Sequence, residues 1–394
     1  MRKAITVLLL VPSFIYAQNL DPIPRGINRF GLDVCEQFRA EPDYLFSPAS
    51  ISAALGMTYL GAKGVTKEQI KEVFYYPKDD EFMDGFAKFN TVFESTDSAT
   101  EISMANKLWG DESRINLVPD FLEKNKTYFD SELKVLDFNK AEESRVIIND
   151  WIAANTNDKI KDLLEEGFIS AQSVLVLTNA LYFKSSWAKK FDPLLTYEGN
   201  FINDQNAPLK VDFMSAAGYY NTCEDEFVDM VELPYADGKF SFLVLLPKNS
   251  MKELQEQLYI ENYERWSLLL NRREFEFLAV PKFKTSSKFK LEETLPSMGM
   301  PIPFSRGANF LGLGTSPLGN IFVDKAVHQT FLEFNEEGTE AAAATAVGMA
   351  ARSMPPPPKR FIADRPFIYI LRHIETNTIL FMGKMSNPAY SEDN

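Results

Sequence analysis

Histidine is the side chain best suited to general-base work near neutral pH, and this chain has two, His328 and His373. Each lies inside an apolar run of strand character, where a structural histidine with satisfied nitrogens is the expected role. A catalytic triad would also need an activated nucleophile, and no G-x-S-x-G elbow is present to supply one. Gly312 and Gly314 begin a dinucleotide-like glycine pattern, but Pro317 stands where its third glycine belongs, so a surface loop is expected. H-E-x-x-H, phosphate-binding loops and paired-cysteine zinc motifs are absent from the sequence. The chain therefore does not read as an enzyme, and no metal or cofactor is expected.

The most unusual chemistry is the stretch FLEFNEEGTEAAAATAVGMAARSMPPPPKRF, from Phe331 to Phe361. Propensity alone favours a short helix, since alanine is the best helix former and Glu336, Glu337 and Glu340 suit a helix N-terminus. No large apolar stripe occurs between Gly338 and Val347, however, so nothing would hold that helix on a core. The segment is expected to be exposed. Small side chains at Thr339, Ala341, Ala342, Ala343, Ala344, Thr345 and Ala346 would also let it slide between two strands without a clash.

The flanking elements set the frame. Ser47 can cap a helix carrying Ile51, Leu55, Met57 and Leu60, and a second helix is expected from Ser144 to Leu164. Its buried stripe would be Val146, Ile147, Trp151, Ile152, Ile160 and Leu163. A third is expected over Met251 to Leu270. Short apolar runs predict strands at Leu175 to Phe183, Phe240 to Leu246, Phe275 to Phe283, Phe367 to Leu371 and Thr378 to Met382. Helices early and strands late, without regular alternation, indicate an α+β fold with a large helix-covered sheet.

Arg2-Lys3, an apolar run from Ala4 to Val11 and the end Ile15-Tyr16-Ala17 have the layout of a secretory signal peptide over residues 1–17. The run is too short to span a bilayer. Secretion and an extracellular location are expected, with one domain over residues 18–394. A net charge of -14 opposes phosphate backbones and anionic membranes. Nucleic acid and membrane are not expected partners. Two cysteines, Cys35 and Cys223, do not make a disulfide scaffold, and their pairing is open. Asn125-Lys126-Thr127 is a glycosylation acceptor pattern.

Several long motifs resemble those of the serpin family. EEGTEAAAATA, Glu336 to Ala346, is similar to the hinge of its inhibitory members, and FIADRPFIYILRHIETNTILFMGKMSNP, Phe361 to Pro388, to its C-terminal signature. FSPASISAALGM at Phe46 to Met57, NKLW at Asn106 to Trp109 and LTNALYFKSSWAKKF at Leu177 to Phe191 follow in family order. The resemblance covers essentially the whole chain after the leader. It implies three β-sheets, about nine helices and an exposed reactive loop over about residues 338–358.

The resemblance also implies a mechanism and its residues. A serine protease cleaves the loop, and the hinge (Glu336, Gly338, Thr339, Glu340, Ala341, Ala342, Ala343 and Ala344) then inserts as a new central strand, carrying the acylated protease away. The reactive residue of such members lies fourteen positions after the hinge glycine, which is Arg352 here, so Arg352-Ser353 is the implied scissile bond. An arginine fits the aspartate-floored pocket of trypsin-like enzymes. Lys359-Arg360 lies beyond four prolines and Met349 three positions early. Ser47, Ser50, Asn179 and His328 match the polar cluster over which the sheet opens. Trp187 and Lys282, with Glu336, match the point where the hinge enters the sheet. Asp43 departs from the asparagine usual before the FSP motif. The stretch Lys78 to Asp97, where some members bind heparin, has six acids against Lys78 and Lys88, which argues against heparin. The implied molecule is a monomeric, single-use inhibitor. The alternative is a non-inhibitory serpin acting as a binding or carrier protein.

Overall fold

The computed structural model describes residues 21–93, 100–131, 133–339 and 358–390. Residues 1–20, which include the expected signal peptide, and residues 340–357, with Glu340, Ala341, Ala342, Ala343, Ala344, Met349, Arg352 and Ser353, lie outside the described residues. Within them are nine α-helices and seventeen strands, numbered in chain order.

Helix α1 (Pro22–Gln37) starts where the Asp21 carboxylate accepts from Ile23 N at 3.2 Å. Helix α2 (Pro48–Tyr59) starts where Ser47 Oγ accepts from Ser50 N at 3.0 Å. Every residue of α2 is buried, because small side chains alternate with apolar ones around its whole circumference. Gly56 is one such position: a Cβ there would lie 2.9 Å from the Phe129 ring. Helices α3 (Gly64–Phe74), α4 (Asp79–Asn90), α5 (Pro119–Phe129) and α6 (Ala141–Ala154) follow. Helices α7 (Met251–Gln257), α8 (Ile260–Leu268) and α9 (Leu291–Ser297) are short.

Two helical expectations need correction. The second helix is α6, which ends at Ala154, and Val146 and Ile147 are exposed, while Ile148 and Ile152 are buried. Asn149 faces inward and clamps the returning chain, bonding Leu164 O at 2.9 Å and Leu164 N at 2.8 Å. Ile160 and Leu163 reach the core from that irregular return, turned by left-handed Asn157, Asp158 and Asp162. The third helix is broken by extended Tyr259 into α7 and α8.

A six-stranded sheet has the order β11 (Phe283–Lys290), β13 (Lys325–Phe334), β5 (Leu175–Ser186), β2 (Thr100–Asp111), β4 (Lys134–Leu136), with β14 (Gly338–Thr339) paired to β5. The nine-stranded sheet runs β1 (Tyr44–Phe46), β17 (Thr378–Met385), β16 (Phe367–His373), β9 (Phe240–Pro247), β8 (Val228–Pro234), β7 (Pro208–Glu224), β10 (Asn271–Pro281), β15 (Lys359–Ile362). Strand β6 (Tyr197–Ile202) joins it through β7, and β12 (Gly314–Thr315) with β3 (Asn116–Leu117) makes a third sheet. The predicted run Phe275 to Phe283 divides at Lys282, whose N–H donates to Asp212 O at 2.8 Å. Helices do not simply precede strands: β2, a strand of twelve residues before α5, mixes Ser103, Asn106 and Lys107 with Ile102 and Met104 on its half-buried positions and offers no continuous apolar run.

No described helix is long and apolar enough to cross a membrane. Cys35 and Cys223 are free and buried, and Cys35 rests against Met382 Sδ at 3.3 Å. Burial pushes the Cys35 thiol up to about 12, which keeps it a protonated, unreactive group.

Candidate functional site

The hinge begins as a tight reversal. After β13, Gly338 N donates to Asn335 O at 3.3 Å and Asn335 N to Gly338 O at 3.2 Å, which turns the chain back on itself as β14. Gly338 and Thr339 pair antiparallel with Ser186 and Ser185 of β5. Gly338 has φ +145°, and a Cβ there would fall 2.1 Å from Ser185 O, so only glycine fits.

The residues expected where the hinge enters the sheet are gathered around this turn. Trp187 Nε1 donates to Asn335 O at 2.9 Å, while Trp187 N and Phe191 N donate to Glu337 O and Glu336 O, each at 3.1 Å. The Trp187 ring stacks on Tyr235 at 4.5 Å, and the Tyr235 hydroxyl meets Thr339 Oγ1 at 2.7 Å. Lys282 Nζ lies 3.1 Å from the Glu336 carboxylate, which also accepts from Thr196 Oγ1 at 2.7 Å. Burial alone would push the Glu336 carboxyl up, but the bonds from Thr196 and Lys282 outweigh it and hold it below its ordinary value. Lys282→Met is expected to destabilise the fold by about 2 kcal/mol in urea unfolding, because it strands a buried carboxylate.

Below the hinge, β13 runs parallel to β5 through six pairs, Lys325↔Val176 to Thr330↔Leu181. Above them β13 continues in register with β11 to Phe334, and the upper end of β5 is taken by β14. The two central strands thus part upward, and the hinge occupies the opening.

The polar cluster sits inside the parallel ladder, where His328 is the register partner of Asn179. His328 Nε2 accepts from Ser47 N at 3.0 Å, so its proton sits on Nδ1 and is donated to Asn179 Oδ1. Asn179 Nδ2 donates to Ser50 O at 2.8 Å and to Ser50 Oγ at 2.6 Å. Ser50 Oγ in turn donates to Asn106 Oδ1 at 3.1 Å. Asn106 is a member that sequence reasoning missed. Its signal was available: it heads the NKLW motif and, in the antiparallel β2–β5 ladder, stands opposite Asn179. The cluster ties α2 to three neighbouring strands of the sheet, β2, β5 and β13.

Burial pushes the His328 imidazole down to about 3, so it is neutral in the folded protein. A histidine whose folded pKa is depressed binds its proton more readily when unfolded, so this stability is complete above about pH 6.5 and is lost as pH falls toward 3. Between pH 6.5 and 5 the loss is expected to be about 2 kcal/mol from this group. Urea midpoints against pH would show it, and His328→Gln should flatten the slope to the share carried by His373, which burial also depresses.

The exit from the loop is anchored. Lys359 Nζ lies 2.5 Å from Asp229 and 3.0 Å from Glu224, and β15 pairs parallel with β10. A lysine so enclosed is a poor protease target, which argues against cleavage after Lys359. Two other positions are settled by geometry. Asn125 is 1% exposed and its amide donates to Phe121 O at 3.1 Å, so the expected glycosylation acceptor is corrected: a glycan there does not fit this fold. Asp43 accepts from Ser386 N at 2.6 Å and from Asn387 N at 3.0 Å, bonds that need only an acceptor oxygen.

Neither histidine has catalytic geometry, His373 being bonded to Thr376 Oγ1 at 2.9 Å. Gly312 belongs to a loop held by its N–H to Gly61 O at 3.0 Å. The described residues include no group of three or more potential metal ligands.

Comparison with known proteins agrees with this geometry. The family profile for Serpin (serine protease inhibitor) matches residues 25–388. An uncharacterized serpin-like protein of Methanosarcina mazei is 37% identical over 377 residues, 93% of this chain and 87% of its own length. Human leukocyte elastase inhibitor is 33% identical, over 94% of this chain and all of its own. The crystal structure of human thyroxine-binding globulin with its hormone superposes with a TM-score of 0.84 at 27% identity, covering 94% of this chain and all of that one. With a family match across nearly all of its described residues and a sheet, hinge and helix set to go with it, the chain belongs to the serpins, many of whose members are protease inhibitors.

Proposed function

We propose that this serpin is a secreted, single-use inhibitor of trypsin-like serine proteases that traps its target as an acyl-enzyme after cleavage at Arg352-Ser353. The observation that carries the reading is the register of β14. Gly338 opposes Ser186 and Thr339 opposes Ser185, so an inserted residue n would oppose residue 524 − n, and β5, which starts at Leu175, would receive residues up to Met349.

Side chains alternate between faces along a strand, and Thr339 points inward to Tyr235. Thr339, Ala341, Ala343, Thr345, Val347 and Met349 would therefore face the core, and Gly338, Glu340, Ala342, Ala344, Ala346 and Gly348 the other side. The inward set carries no charge, and the one charged residue falls on the outer face. A random polar loop has no reason to satisfy that alternation.

Insertion would turn one parallel ladder into two antiparallel ones. The ten residues 340–349 would gain ladder bonds at roughly 1 kcal/mol net each, which outweighs the six parallel pairs that must open. The inserted strand would run about 3.3 Å per residue toward the far end of the sheet, which moves an attached protease across the molecule.

The N-terminal leader supports export, and the match to a protein named leukocyte elastase inhibitor supports a protease partner. The specificity follows from Arg352. Titration of trypsin should reduce its activity linearly to zero near equimolar inhibitor, while chymotrypsin retains its activity. Trypsin that stays active while the loop is cut would instead favour a carrier role.

A further inference from the structure

The turn that starts the hinge is held by more than Trp187 and Phe191. The C-terminal tail reaches it as well, just past the signature that ends at Pro388. Lys284 N donates to Ala389 O at 2.9 Å, which lays the tail against β11 and brings Tyr390 to the turn.

Tyr390 is half-buried, and four side chains converge on it. Its hydroxyl donates to Glu333 Oε1 at 2.7 Å and accepts from Asn335 Nδ2 at 3.4 Å. The ammonium groups of Lys282 and Lys284 lie 4.4 and 4.9 Å from the centre of its ring. Each lysine also faces a carboxylate, Lys282 that of Glu336 at 3.1 Å and Lys284 that of Glu333 at 3.7 Å. All four charged side chains are less than a fifth exposed, so salt and solvent screen these contacts little. Burial and the bond to Glu333 push the Tyr390 phenol up to about 12, so it stays a neutral donor at physiological pH.

These contacts lead into the turn itself. Asn335 Nδ2 donates to Glu333 Oε1 at 3.2 Å, while Asn335 Oδ1 accepts from Glu337 N at 3.0 Å. The Asn335 side chain therefore closes the reversal as an Asx turn, and Glu333 and Tyr390 fix the direction in which its amide points. The bond of 3.4 Å is long, so the coupling from Tyr390 to Asn335 runs mainly through the Glu333 carboxylate they share. Immediately after the turn come the first pairs of the inserting strand, Gly338 with Ser186 and Thr339 with Ser185.

We infer that Tyr390 is a positioning residue of the hinge: its ring gathers the Lys282–Glu336 and Lys284–Glu333 pairs, and its hydroxyl, through Glu333, holds Asn335 in the turn from which insertion starts in register. This deepens the inhibitory reading and rests on it. A turn already formed has lost its conformational freedom before the protease arrives, so insertion begins by adding pairs instead of first ordering the reversal. Loosening the turn slows insertion against hydrolysis of the acyl-enzyme and leaves cutting of the loop unchanged.

The test compares the intact wild type with Tyr390→Phe, which keeps the ring over the lysines and removes the hydroxyl. Hydrogen exchange of the unreacted protein, read on peptides spanning residues 335–339, is expected to be about tenfold faster in the variant. After reaction with trypsin, the ratio of cleaved serpin to trapped adduct on a gel should rise at least about threefold, at an unchanged rate of loop cleavage. In Asn335→Ala, whose turn lacks the side chain, adding Tyr390→Phe should change the exchange less than about twofold. A tail that only stabilises the fold would lower the urea midpoint of Tyr390→Phe while turn exchange and the gel ratio stay as in the wild type. That result would overturn the assignment, and so would faster exchange with an unchanged ratio. Wild-type protein that is cut by trypsin without trapping it would instead sink the inhibitory reading, and turn exchange alone would then decide whether Tyr390 holds the hinge.

Discussion

Thr339→Arg is expected to be cleaved by trypsin at the wild-type rate yet to leave the protease active. Thr339 is 2% exposed, faces Tyr235 and opposes Ser185 at the top of the opening between the central strands. A guanidinium placed there gains no partner from Glu336, which is already held by Lys282 and Thr196. An uncompensated buried cation costs several kcal/mol, and about 1.4 kcal/mol on a barrier slows a step tenfold. Insertion slowed about a hundredfold would lose the race against hydrolysis of the acyl-enzyme. The proposed scissile bond at Arg352-Ser353 is thirteen residues further on and unaltered, so cutting should continue. Thr339→Ser keeps the hydroxyl and the small volume and should still inhibit. Residual trypsin activity together with a gel of the cleaved chain distinguishes the outcomes, and full inhibition by Thr339→Arg would mean that β14 is not where insertion starts.

Arg352→Ala is expected to lower the rate of trypsin inhibition at least about a hundredfold. A fork of charge-assisted hydrogen bonds in the protease pocket is lost, and truncating one partner of such a buried pair costs about 2–5 kcal/mol. The fold should be unaffected, because the hinge anchor at Gly338 and the exit anchor at Lys359 lie on either side of it. Progress curves under excess inhibitor read the rate directly. If Arg352→Ala inhibits trypsin as fast as the wild type, the scissile bond lies elsewhere on the loop.

What could be read from the sequence was chemistry that is local or periodic. Ser47 as a cap needs only its neighbour Ser50, and the strand of Leu175–Ser186 announces itself as an unbroken apolar run. The hinge is legible for the same reason: side-chain size is a property of the residues themselves. The contact of Lys282 with Glu336 came through the family resemblance, since nothing in the spacing of residues 54 apart implies it.

Other features depend on contacts the linear chain hides. The pattern at Ile160 and Leu163 imitates a continuing helix, because only the clamp of Asn149 on Leu164 shows that the chain has turned back. Asn106 lies among other polar residues of its strand, and only the fold shows that it is the one bonded to Ser50 in the buried cluster. The buried pair Arg372 and Glu232, 2.6 Å apart across two strands, was equally out of reach.

Protease and serpin mixed at equal concentration, boiled in detergent and run on a gel provide the most direct test of trapping, with the released fragment weighed by mass spectrometry. A trypsin adduct that survives boiling, accompanied by a peptide beginning at Ser353 and ending at the C-terminus, is the predicted result. Complete cleavage at that bond with no adduct, and trypsin left active, would contradict the account.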